Sequence, residues 1–257
     1  MNLLVSLQII SVSLTAIISG LVGVFVLTRR MSLAGDALSH IALPGIGLAL
    51  MLKLDPLLGG GMALVLGALL VWSIEKRTNI PTETIIGVIF STSLALGSLL
   101  INSGEELLDA LFGDISKLTL SESVAGIIIS IILAFIIFKL KDRFTLSFIS
   151  EDIAKTSGLN VSAINLGFLI IFVLSIILGL KFLGVLLMGS LIIIPAASSR
   201  NIAKSFNSDL LISSLLSLLS VFVGLFISKE YGLTLGAVIV SVSAFIFFLT
   251  VIFKKNN

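Results

Sequence analysis

VSAINLGFLIIFVLSIILGLKFLGVLLMGSLIIIPAAS, running from Val161 to Ser198, is apolar almost throughout and is interrupted only at Gly179–Leu180–Lys181. A membrane span needs roughly 20 apolar residues, so this stretch holds two spans only if those three residues form a tight hairpin. That division makes nine spans in the chain, and without it there are eight. The other apolar runs fall at Leu3 to Thr28, Ala34 to Leu52, Pro56 to Ile74, Thr82 to Ile101, Ser123 to Phe138, Leu210 to Ser228 and Gly232 to Phe253, with the divided stretch giving Val161 to Leu180 and Phe182 to Ser198. With 57% hydrophobic residues, 12% charged and a mean hydropathy of +1.24, the composition lies outside that of soluble domains. The expected fold is an all-α polytopic membrane bundle of eight or nine spans.

Connections between the spans are short, which leaves no room for a nucleotide-binding domain, and no Gly-rich phosphate loop occurs. Energy for active transport would have to come from another polypeptide or from an ion gradient. A net charge of +2 gives no argument for nucleic acid, and the absence of cysteine excludes thiolate metal sites and disulfides. The first basic residues, Arg29 and Arg30, follow the first apolar run, so that run reads as a retained span rather than a cleaved signal.

Assigned to alternate sides, Arg29, Arg30, Lys76, Arg77, Lys139, Lys141, Arg143, Lys155, Arg200, Lys204, Lys254 and Lys255 share one face. Lys53, Lys117, Lys181 and Lys229 take the other. The richer face is expected to be cytoplasmic, with the N-terminus outside and the C-terminus inside. Lys181 itself reads as an interfacial anchor that snorkels to water. The outer connection from Asn102 to Glu122 carries Glu105, Glu106, Asp109, Asp114 and Glu122 against Lys117, and it reads as a solvated loop with an amphipathic segment around Leu107 to Phe112. Glu75, Lys76, Arg77 and Glu83 read as interface residues without a role.

Asp36 and His40, the only histidine, stand four residues apart in SLAGDALSHIALPG, residues 32–45. That spacing puts both on one helix face, where a carboxylate and an imidazole can converge on one cation. Such groups are costly inside a membrane unless they face a partner, water or an ion. Gly35 before the pair and Pro44–Gly45 after it loosen or break a helix, as in the discontinuous spans that line transport sites. Two ligands are too few for a tight site, but a symmetric dimer meeting here would offer two of each. Nitrogen and oxygen donors of this kind suit zinc, manganese and iron(II) better than calcium or copper(I). The alternative is that Asp36 merely caps a helix or pairs with an arginine near the interface.

Two further segments stand out. In SFISEDIAKTSGLNV, residues 147–161, Ser150 can N-cap a short helix, Glu151 and Asp152 suit its positive end, and Gly158 can end it. Such a helix across the cytoplasmic face can dock on a partner or simply shield the bundle. In GVLLMGSLIIIPAASS, residues 184–199, the small residues Gly184, Gly189, Ser190 and Ala196 permit close helix packing, and Pro195 can kink the span.

Taken together these stretches resemble the membrane permease subunits of the ATP-binding-cassette importers for zinc, manganese and iron(II), the ZnuB/TroCD-like family. Gly35–Asp36–Ala37–Leu38–Ser39–His40 with Pro44–Gly45 is similar to that family's signature. Gly184–Val185–Leu186–Leu187 with Pro195–Ala196–Ala197 is similar to a later one. Asp152, Ala154 and Gly158 match the coupling-loop pattern of an acid, then Ala two residues on and Gly six on, with Asp where Glu is common.

The resemblance covers residues 5 to 252. It implies one transmembrane permease domain, 1–257, with a cytoplasmic coupling loop at 139–160, and a multi-pass protein of a prokaryotic plasma membrane. As partners it implies a second permease copy, as a homodimer or with a similar chain, two cytoplasmic ATPase subunits and an extracytoplasmic metal-binding protein. ATP hydrolysis then belongs to the partner, no cofactor is permanently bound, and the divalent metal is cargo. The resemblance puts Asp36 and His40 on the translocation path, although charge counting puts them near the cytoplasmic end of the second span. A broken segment dipping toward the midplane would reconcile the two. A proton-coupled secondary carrier is the competing reading, and a metalloprotease lacks the ligands and a His–Glu–x–x–His pattern.

Overall fold

The computed structural model describes residues 3–101, 113, 115 and 118–252. The helices are α1 (Leu3–Thr28), α2 (Ala34–His40), α3 (Ala42–Met51), α4 (Pro56–Arg77), α5 (Thr82–Leu100), α6 (Leu120–Ile149), α7 (Glu151–Thr156), α8 (Val161–Lys181), α9 (Leu183–Ile202), α10 (Phe206–Tyr231) and α11 (Leu235–Ile252). Among the described residues, nine helical segments are long and apolar enough to cross a membrane, counting α2 with α3 as one and leaving out the short α7. The run from Val161 to Ser198 is two spans. The backbone leaves helical geometry at Gly184, where φ is +74°, a value that glycine adopts without the Cβ clash other residues suffer.

Side-chain caps mark several helix starts, and α10 begins four residues before the expected Leu210. Asp55 accepts from Leu57 N–H with Pro56 at the first helical position, Asn160 accepts from Ala163 N–H, and Ser205 accepts from Ser208 N–H. Thr119 and Glu122 form a reciprocal capping box that starts α6 three residues before the expected Ser123. At its other end α6 runs to Ile149, well past the expected Phe138, so the first half of the 139–160 segment is helix. Lys139, Lys141 and Arg143 project from that extension beyond the apolar core of the span, which explains why hydropathy alone ended it early.

α1 is the axis of the bundle, packed by α6, α8, α9 and α10. Its second half is buried on nearly every side, from Ile18 to Val26. At one end Phe25, Phe144, Phe148, Phe168 and Phe206 cluster with ring centres 4.9–6.5 Å apart, mostly edge to face, with Phe144 stacked on Phe148. Serine hydroxyls from α10 add interhelical bonds, with Ser213 donating to Gly20 O at 2.7 Å.

The two ends of the bundle differ. Arg29 pairs with Glu75, Arg200 donates to Thr28 and pairs with Asp209, and Lys141 donates to Asn207, so the basic residues collect at one end. At the other, Gln8 donates to Leu118 O and Lys181 pairs with Glu122. Lys181 is therefore more than a snorkelling anchor: its ammonium ties the α8–α9 hairpin to the first turn of α6. Glu105, Glu106, Asp109, Asp114, Lys117 and the segment Leu107 to Phe112 lie outside the described residues.

Candidate metal-transport site

Pro44 decides the geometry of the second span. Proline has no N–H and its ring clashes with the carbonyl four residues earlier, which here belongs to His40. The helix accordingly breaks between His40 and Ala42, where Ile41 N–H bonds to Leu38 O in a tighter turn. Gly45 serves a different purpose. Its backbone lies directly against Gly59 O of α4, and Gly59 lies against Gly45 O, so a side chain on either residue would drive the two helices apart.

Depth follows from the neighbours of α2. After α1 the chain reverses: Arg30 takes a left-handed φ of 59° and Met31 N–H donates back to Val26 O. That reversal sends α2 back into the bundle instead of along its end. A Cβ on Gly35 would lie 3.1 Å from Ile193 Cγ1, and one on Gly189 would lie 2.5 Å from Asp36 N and Cα. Gly189 and Ile193 are the seventh and eleventh of the twenty residues of α9. The His40 ring sits 5.4 Å from that of Phe90, the ninth of the nineteen residues of α5. Both halves of the pair therefore stand near the middle of the spans beside them. The charge count alone placed them near the end of the span, since it does not register the reversal at Arg30 that turns α2 into the bundle.

Asp36 and His40 face each other, with Oδ1 and Nε2 3.8 Å apart. That separation is too long for a direct hydrogen bond and leaves space for an atom shared between them. The His40 side chain is 9% exposed, whereas that of Asp36 is 55% exposed and makes no contact with an arginine. His40 Nδ1 is buried and has no hydrogen-bond partner. No further carboxylate joins them among the described residues and the chain has no other histidine, so one chain supplies two candidate ligands. A half-exposed carboxylate at this depth would cost roughly 3 kcal/mol if it faced lipid.

Gly35 and Gly189 thus bring the first and third sequence constellations together: the small-residue run of α9 is the wall on which the Asp36 turn rests. Gly184 breaks the α8–α9 hairpin. Pro195, expected as the kink, sits in α9 where the backbone stays helical, since its fixed φ suits a helix even though one hydrogen bond is lost.

The segment from Ser150 to Gly158 folds as its residues suggest. Ser150 Oγ accepts from Ile153 N–H to start α7, which carries Glu151 and Asp152 in its first turn. Gly158, at φ +76°, ends it: Leu159 N–H bonds to Ala154 O and Gly158 N–H to Lys155 O, the Schellman pattern. Ala154 is fully buried under the helix while Ile153 is exposed on it. Glu75, assigned nothing from sequence, accepts from Arg29, Thr82 and Asn165. Nothing local signals this, because two of those partners are 46 and 90 residues away.

Among curated relatives, the chain is 33% identical to the high-affinity zinc uptake system membrane protein ZnuB of Haemophilus influenzae over 94% of each chain. It is 30% identical to the manganese transport system membrane protein MntC of Listeria monocytogenes, over 94% of this chain and 87% of that one. Among solved structures it is similar to PsaBC from Streptococcus pneumoniae in complex with Fab, with a TM-score of 0.83 and 28% identity, covering 97% of this chain and 91% of that one. The sequence model of the ABC 3 transport family matches residues 2–254, and with nine apolar spans in the arrangement of a solved relative, the chain belongs to that family.

Proposed function

We propose that this chain is the membrane permease subunit of an ATP-binding-cassette importer that carries a divalent transition metal, zinc, manganese or iron(II), into the cytoplasm. ATP hydrolysis belongs to separate cytoplasmic ATPase subunits, and an extracytoplasmic binding protein delivers the ion. The observation that carries this reading is Asp36 at mid-span depth, half exposed, with His40 beside it and Nδ1 of that imidazole free. A carboxylate is stable there if the exposed side is a wet path or a second copy of the chain rather than lipid. Two copies meeting at α2 supply two carboxylates and two imidazoles, an N2O2 set suited to these metals. Relatives named for zinc and for manganese agree with that donor chemistry.

The basic end of the bundle faces the cytoplasm in this reading, by the excess of Lys and Arg there. α7 then lies on the ATPase side, where Glu151, Asp152 and Ile153 present a mixed polar and apolar surface and Ala154 and Gly158 fix its seat. The test is transport by the reconstituted complex. Asp36→Ala and His40→Ala are expected to abolish metal uptake while the permease pair and its ATPase stay assembled. Wild-type uptake by both variants would refute the site. Uptake that persists without an ATPase and collapses with the proton gradient would assign a secondary carrier instead.

A further inference from the structure

Glu75 gathers four elements at the basic end on one oxygen. Its Oε1 accepts from Arg29 Nη2 just beyond α1, from Thr82 Oγ1 at the start of α5 at 2.8 Å, and from Asn165 Nδ2 of α8 at 3.3 Å. The Arg29 guanidinium lies 5.3 Å from the ring centre of Phe148, in the last turn of α6 and two residues before Ser150, the N-cap of α7. In the other direction Arg29 opens the reversal that leads into α2. A continuous line of contacts and chain therefore runs from α7 through Phe148, Arg29 and residues 30–33 to Asp36.

That pair is only half made. Arg29 Nη1 and Glu75 Oε2 are both buried without a hydrogen-bond partner, although guanidinium and carboxylate commonly meet through two parallel bonds. Each orphaned atom carries its own desolvation cost, and a swing that brings Nη1 to Oε2 removes both. The junction thus has a second discrete arrangement available. Beside it lies a cleft of about 510 Å³, lined by Glu75 and Thr82, by Glu151 and Lys155 of α7, and by Asn165. It separates the exposed face of α7 from the facing ends of α4 and α5.

We infer that Arg29–Glu75 is the joint that converts movement of α7 into movement of α2, singly bonded in one transport state and doubly bonded in the other. Both are positioning residues that act on the metal pair through α2. The inference rests on α7 being the helix that the ATPase engages. The test uses the full complex in proteoliposomes, with ATP hydrolysis and uptake of Zn²⁺ and Mn²⁺ followed on the same vesicles. Arg29→Lys keeps the charge but cannot form the parallel pair. It is expected to leave the ATPase bound and hydrolysis within about twofold of normal, while metal moved per ATP falls about tenfold.

Glu75→Gln is expected to give the same split. Unchanged metal per ATP in both variants overturns the joint, and so does failure of both to assemble, which would make the pair a folding element. Ala154→Asp separates the two readings. Coupling that survives Ala154→Asp removes the docking role of α7, whereas uncoupling by Ala154→Asp with normal coupling in Arg29→Lys removes only the joint.

Discussion

Gly189 is a position at which a single hydrogen atom matters to the site. Its Cα faces the backbone of Gly35 and Asp36, and a methyl group there would sit 2.5 Å from Asp36 N. Because both neighbours are backbone, the clash cannot be relieved by a rotamer change, and α2 has to move. Gly189→Val is expected to lower stability by about 1–3 kcal/mol and to cut metal uptake more than Gly189→Ala, read by thermal unfolding in detergent and by vesicle uptake. Equal uptake in both variants and wild type would show that α2 tolerates displacement. The i, i+4 spacing of Asp36 and His40 made the pair legible in sequence. The depth of the pair was not, because it depends on the reversal at Arg30 and on contacts with Gly189 and Phe90 that are far away in sequence.

At the scale of one element, local chemistry sets the bounds of α7. Ser150 starts it and Gly158 stops it, both readable from sequence, while Ala154 seats it through a burial that only the packing of its neighbours shows. Gly158→Pro removes an N–H that bonds to Lys155 O and demands a negative φ where the backbone has +76°. It is expected to uncouple ATP hydrolysis from uptake, and unaltered metal per ATP would remove the assigned role of this segment. Ser150→Ala is a milder change, costing about 1 kcal/mol of local helix stability. Faster hydrogen exchange confined to 151–158 would report it. α6 was less legible, because its last turns are too polar to count as span yet continue the same helix to Ile149.

For the whole molecule, the number of spans turned on the stretch around Lys181, which left eight or nine open in the sequence and which the break at Gly184 divides into two helices. Hydropathy resolves such questions well, since every buried backbone group in a membrane has to be satisfied within a helix. Long-range polar ties escape it. Lys181 and Glu122 are 59 residues apart, and each had a plausible solitary role. If their pair fastens the hairpin to α6, Glu122→Lys and Lys181→Glu should each lower the unfolding temperature, and the double exchange should restore the part of the loss that does not come from the Thr119 capping box. A double variant no better than the singles would show that the pair holds nothing.

In the proposed function Asp36 looks onto a wet path shared by two copies of the chain and not onto lipid. Because the natural sequence contains no cysteine, Asp36→Cys places one thiol at this position in an otherwise thiol-free protein. In membranes, that thiol is predicted to react with charged, water-soluble thiosulfonate reagents and to join two copies by a disulfide under mild oxidation. Reaction only with lipid-soluble maleimides, with no linked dimer, would contradict the account.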